Sequence, residues 1–143
     1  MIQGGPSTAI GPGGGGLGYG APSSGGGGGI PNSIAVKFDL YSNAGEGTDS
    51  TGLYVNGASP TIPAVDMTSS GVNLHTTEVF NVQITYNGTN LTMTITDATT
   101  NATFTQSWPV NIPSTVGGNT ALVGFTGGTG GLTAIQEIIG WTM

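Results

Sequence analysis

The stretch VFNVQITYNGTNLTMTITD, residues 79–97, decides the fold. Phe80, Val82, Ile84 and Tyr86 alternate with Asn81, Gln83 and Thr85. Leu91, Met93 and Ile95 then alternate with Thr92, Thr94 and Thr96. A period of two places the apolar side chains of each run on one face of a strand and the polar ones on the other. Asn87-Gly88, between the runs, supplies two residues that tolerate positive φ and so predicts a tight hairpin turn. Residues 97–102 make a second turn, and the chain returns through Phe104 to Val110. The expectation is an antiparallel meander with an apolar inner face and a wet face of threonines, which suit a pleated surface.

Upstream, Ile34, Val36, Phe38 and Leu40 alternate with Ala35, Lys37, Asp39 and Tyr41, which predicts a half-buried strand. Gly52 to Val55 reads as a short strand closed by the hairpin signal Asn56-Gly57. Downstream, Ala121 to Phe125 and Ala134 to Thr142 read as two more strands, separated by the glycine-rich run from Thr126 to Gly131. No helix of useful length is expected. Short strands with frequent turns imply an all-β chain folded as an antiparallel sandwich or barrel. Residues 4–29 are dominated by Gly, Pro and Ser, with unbroken glycine runs at Gly13 to Gly16 and Gly25 to Gly29. That composition suits a linker or loop, with Ile10, Leu17 and Tyr19 able to dock on a core. The expected organisation is a glycine-rich segment and rim loop at 1–31 and a sandwich at 32–143.

Charge narrows the function. Lys37 is the only Lys or Arg, against seven Asp and Glu, for a formal net charge of −6. Nucleic-acid binding needs cations for the phosphates and is excluded, and anionic membrane surfaces are disfavoured. No apolar run has the length of a membrane span. Met1-Ile2-Gln3 does not resemble a signal peptide. No Cys is present, so neither disulfides nor thiolate metal sites arise. His75 is the lone His, with no Ser or Cys set beside it by any motif, and no carboxylate pair has the context of a hydrolase. The chain is therefore not read as an enzyme. Trp108 and Trp141 sit in strand patterns, where core packing is favoured over stacking on a ligand. Asn87, Asn90 and Asn101 open formal glycosylation sequons that read first as turn and strand residues.

Four stretches, in order, resemble the legume-lectin (L-type lectin) family in its bacterial branch. They are GGGLGY at 14–19, NSIAVKFDLYSN at 32–43, VFNVQITYNGT at 79–89 and VGFTGGTG at 123–130. The resemblance implies a concanavalin-like jelly-roll sandwich with a sugar site at loops on one rim. It implies calcium and a transition metal beneath that rim, fixing the loop that carries a sugar-binding Asn. Carried over residue by residue, Asn43 matches that Asn. Gly16, Gly18, Gly127, Gly128 and Thr129 match loops around the sugar. Asp39, Asn43 and Asp49 match metal ligands and would hold calcium weakly at most, since calcium takes six to eight oxygens.

The sequence also departs from the family. Lys37 stands where the family has a metal-binding Glu, and the position of its His falls near Ser50 or Thr51, so no transition metal is expected. Two readings of Lys37 stay open: a charge that replaces the metal beside Asp39 and perhaps Asp49, which is preferred, or an exposed Lys of little consequence. The chain also begins inside the family's domain, so the sandwich is expected to be incomplete without a partner chain, or truncated. The implied function is glycan binding by an extracellular or cell-surface module. The alternative is a structural, self-assembling subunit of a bacterial surface layer, appendage or filament that keeps the sandwich without the sugar site. In either case the expectation is a homo-oligomer or a chain completed by a strand from a partner.

Overall fold

The computed structural model describes residues 1–21 and 28–143. Among them, eight strands run in the order β1 (Ile2–Gln3), β2 (Ser33–Asp39), β3 (Ser50–Val55), β4 (Val65–Asp66), β5 (Phe80–Tyr86), β6 (Asn90–Asp97), β7 (Thr103–Pro109) and β8 (Leu122–Val123). One short α-helix, α1 (Ile112–Val116), follows β7, and single 3-10 turns lie at Gly14–Gly16 and Thr68–Ser70. The strands form two antiparallel sheets, β5-β6-β7 and β4-β3-β2-β1-β8.

The three-stranded sheet is the predicted meander. Asn87 builds its first turn by accepting the N–H of Thr89 and Asn90 at 3.0 and 2.8 Å. Asp97 builds the second by accepting the N–H of Thr99 and Thr100 at 2.8 and 3.0 Å. Leu91, Met93 and Ile95 on the central strand are buried. The opposite face carries a ladder of hydroxyl pairs, Thr92–Ser107 at 2.7 Å, Thr94–Thr105 at 2.9 Å and Thr96–Thr103 at 3.1 Å.

The core between the sheets gathers Met67, Val72, Met93 and Ile95 with Val36 and Phe38 of β2, Phe80 of β5, and Phe104 and Trp108 of β7. The inner face is not covered to its edge. Val82 and Ile84 share it with Ile95 and Met93 by register, yet are 43% and 48% exposed.

The expectation of a half-buried β2 needs correction, because this strand is covered on both faces. Its Ala35 side packs with Tyr19, Ile30 and Tyr54 in a second cluster. The glycine-rich N-terminal segment supplies that cover, and glycine lets it come close. A Cβ on Gly29 would lie 2.1 Å from the carbonyl oxygen of Gly57. The buried Tyr19 hydroxyl is satisfied: it donates to Tyr54 O at 3.0 Å and accepts from Ser33 Oγ at 3.0 Å and Gly57 N at 3.2 Å. The predicted glycine run at 25–29 lies partly outside the described residues.

Three further expectations are corrected. Asn56-Gly57 makes a turn, with both φ positive and Ala58 N donating to Val55 O at 3.0 Å, but it closes no tight hairpin and instead opens the longer connection to β4, which pairs antiparallel with the start of β3. The hairpin partner of β3 is β2, through the loop at 40–49. Ala134 to Thr142 is not a strand, and Ile135, Ile139 and Trp141 are 93%, 76% and 54% exposed. Its alternation is that of a strand, but no sheet edge among the described residues pairs with it. Trp141 accordingly lies outside the core and meets Phe125 edge-on at 5.9 Å between ring centroids.

Candidate functional site

Three loops that are far apart in sequence converge. The first is the turn around Gly14–Gly16, the second follows β2 through Asn43, and the third spans 126–131. Gly14 N donates to Thr129 O at 3.0 Å. A Cβ on Gly128 would lie 3.1 Å from Gly18 N and 3.2 Å from Gly13 Cα and Leu17 Cα. Gly18, with φ +67°, lies against Gly127 so closely that a Cβ would reach 2.7 Å from its carbonyl oxygen. Only glycine permits backbones to meet in this way while holding such a φ.

A cleft of about 260 Å³ opens between these loops, lined by Gly14, Gly15, Tyr41, Asn43, Gly128, Gly130 and Gln136 among others. Asn43 is exposed, and its Nδ2 donates to the Tyr41 carbonyl at 3.2 Å. Gly15 faces the amide: a Cβ there would lie 3.4 Å from Asn43 Cγ. Of the residues singled out in the sequence, Asp39, Asn43 and Gly128 line the cleft, while Gly16, Gly18, Gly127 and Thr129 belong to the loops that form its walls.

Beneath the Asn43 loop lies a buried cluster of charges. Lys37 is 4% exposed, and Asp39 and Glu46 are 3% and 5%. Lys37 Nζ is 3.2 Å from Asp39 Oδ2, 3.8 Å from Glu46 Oε1 and 3.2 Å from the Thr61 carbonyl to which it donates, and it lies 5.8 Å from the Tyr54 ring centroid. Asp39 Oδ1 accepts the N–H of Tyr41 at 3.2 Å. Glu46 Oε2 accepts the N–H of Ala44. Burial pushes the Glu46 carboxyl up, but the N–H groups of Ala44, Glu46 and Asn43 and the Lys37 charge outweigh it and hold it below the ordinary carboxylate range. Burial, with the charges of Glu46 and Asp39 behind it, pushes the Tyr54 phenol well up.

Asp49 lies apart from this cluster in its bonding. Its Oδ1 accepts the N–H of Leu74 at 2.6 Å and lies 3.4 Å from His75 Nδ1, and His75 stands edge-on to Tyr41. Lys37 thus pairs with Asp39, as their spacing on one strand suggests, but its second carboxylate is Glu46 rather than Asp49. Glu46 was not singled out in the sequence. Its signal was weak: an acid in a turn between Gly45 and Gly47, both at positive φ.

The donor set does not fit the calcium and transition metal that the family resemblance implies. Both oxygens of Asp39 and Oε2 of Glu46 already hold N–H groups, and an ammonium sits between the two carboxylates, where it would repel a metal ion. Ser50 and Thr51, between which the resemblance leaves the place of the family's His, offer only hydroxyls. No group of three or more His, Cys, Asp or Glu side chains suited to a metal occurs among the described residues.

The architecture and the cleft define an all-β, two-sheet antiparallel sandwich with a recess built from loops. The family model of the legume lectin domain matches residues 13–143, and the chain belongs to that family. Comparison with curated proteins gives no match. No helix among the described residues is long and apolar enough to cross a membrane.

Proposed function

We propose that this chain is a carbohydrate-binding, non-enzymatic module that works outside the cell or on its surface. The observation that carries this reading is the convergence of Asn43 with two glycine loops around one cleft. Gly16, Gly18, Gly127, Gly128 and Thr129 are the wall residues of the site in this reading, and Asn43 is its main polar contact. An amide offers both donors and an acceptor to neighbouring sugar hydroxyls, and bare backbone lets a flat ring approach. Membership in the legume lectin domain family supports both the ligand class and the location. A shallow polar site gains little apolar burial, so affinity for neutral sugars belongs in the millimolar to high-micromolar range. A glycan array followed by calorimetry tests this. Asn43→Ala is expected to abolish binding. Binding that survives this substitution puts the site elsewhere.

A second reading, a self-assembling structural subunit of a surface layer, appendage or filament, is favoured by a different observation. The β5 edge leaves Val82 and Ile84 uncovered, and the unpaired segment at 134–142 leaves Ile135, Ile139 and Trp141 exposed. The occupant this pattern suits is a second copy, whose 134–142 segment adds as a strand to the β5 edge. With Lys37 buried, no basic side chain guards either edge. Light scattering and electron microscopy of native material are expected to show ordered oligomers. A monodisperse monomer at micromolar concentration removes this reading.

A further inference from the structure

The buried cluster beneath Asn43 has a use of its own. We infer that Lys37 is a built-in counter-ion that shapes the Asn43 loop through Asp39 and Glu46, so that the cleft keeps its form without a bound metal. The inference rests on the carbohydrate-binding reading for its purpose, though not for its test.

The geometry forms two arms from one ammonium. In the first, Lys37 Nζ holds Asp39 Oδ2, and the other oxygen of Asp39 holds the N–H of Tyr41. In the second, Lys37 Nζ faces Glu46 Oε1, and Glu46 Oε2 accepts the N–H of Ala44, the residue after Asn43. The loop from Tyr41 to Glu46 is therefore pinned at both ends by carboxylates that share one cation. A third bond from the ammonium, to Thr61 O, ties in the neighbouring loop, and Tyr54 OH donates to that same carbonyl at 3.0 Å. Two carboxylates this deeply buried repel each other and need a positive charge between them. The only Lys or Arg in the chain stands there. Lys37 does not itself line the cleft, so it is a positioning residue, acting on the Asn43 loop through Asp39 and Glu46.

The test reads backbone amides. Hydrogen exchange of Tyr41 and Ala44, the amides held by Asp39 and Glu46, is followed in the wild-type chain, untreated, with EDTA, and with added calcium. Protection is expected to be the same in all three. A loss with EDTA, or a gain with calcium, overturns the inference, because a metal then shapes the loop. In Lys37→Met, protection at these amides is expected to fall at least tenfold more than at β6 amides. Ile95→Val, which weakens the core generally, is expected to show no such selectivity. Uniform loss in Lys37→Met, or none, overturns the inference. Should Lys37→Met not fold, Glu46→Gln keeps the shape and removes one arm. Selective loss at Ala44 then supports the clamp, and unchanged protection there overturns it. Glycan binding is measured separately: a wild-type chain that binds no sugar defeats the proposed function while the amide data still decide the clamp.

Discussion

Gly18→Ala tests whether the cleft walls meet as described. Gly18 has φ +67°, and the new Cβ would lie 2.7 Å from Gly127 O and 3.3 Å from Thr126 Cβ. Two costs arise. Placing Ala in the left-handed region costs about 1 kcal/mol relative to Gly. The contact with Gly127 is shorter than an ordinary 3.4 Å contact, so the loops must part by about 0.7 Å. Relieving such a clash in a packed structure costs about 1–3 kcal/mol. The sum is about 2–4 kcal/mol. Gly117→Ala is the matched control: φ is +84°, with no atom within 4 Å of the new Cβ beyond its chain neighbours and its own helix. Only the conformational cost, about 1 kcal/mol, applies there. Urea denaturation of both variants, with unchanged m-values, reads the difference. Glycan affinity should fall in Gly18→Ala and hold in Gly117→Ala. Equal destabilisation by the two substitutions would refute the loop contact. An unchanged glycan affinity in a destabilised Gly18→Ala would separate that contact from binding.

Three other outcomes are expected. Ile95→Ala removes three carbons from a side chain that is 1% exposed between the sheets, and should cost about 3–4 kcal/mol by denaturation, while a cost under about 1 kcal/mol would mean the sheets do not share that core. Thr94→Ala breaks the 2.9 Å bond to Thr105 on an exposed face and should cost no more than about 0.5–1 kcal/mol, so a loss above about 2 kcal/mol would show that this face is buried in an assembly. Acid should destabilise the fold. Glu46 (against its burial), Asp66 (by the Thr68 hydroxyl and N–H) and Asp97 (chiefly by the Thr100 N–H) are all held below the ordinary carboxylate range. A depressed carboxylate stabilises the fold while ionised, and its contribution is lost as pH falls through the folded value. The melting temperature should therefore be flat from about pH 5 to 7 and drop below about pH 4. A melting temperature that rises between pH 5 and pH 3 would contradict this.

The meander was legible because every local cue agreed: apolar residues with a period of two, Asn-Gly at the first turn, and threonines on the wet face. The two-sided burial of β2 was not legible. Alternation reports the chemistry of each face but not what folds over it, and here a segment with few apolar residues covers the Lys37 side. Ala134 to Thr142 shows the opposite failure. Its pattern is that of a strand, but a strand needs an edge to pair with, and pairing is non-local. In the cleft, Asn43 and the glycine loops were reachable through the family resemblance. Glu46 was not, because an acid between two turn glycines looks like any loop residue until the Ala44 amide and the Lys37 ammonium are seen beside it.

The burial of Lys37 has a consequence for proteolysis. Trypsin cuts after Lys or Arg, and this chain has one such bond, in the middle of β2, where the buried Lys37 is paired with Gly52 of β3. No local fraying of a loop or terminus presents it to the protease. Cleavage must wait until β2 comes away from β3, and it then yields two fragments meeting at Lys37 and no others. Trypsin digestion of this chain thus reports the opening of β2 from β3, whereas a protease cutting at apolar residues would nick the exposed segment at 134–142 long before.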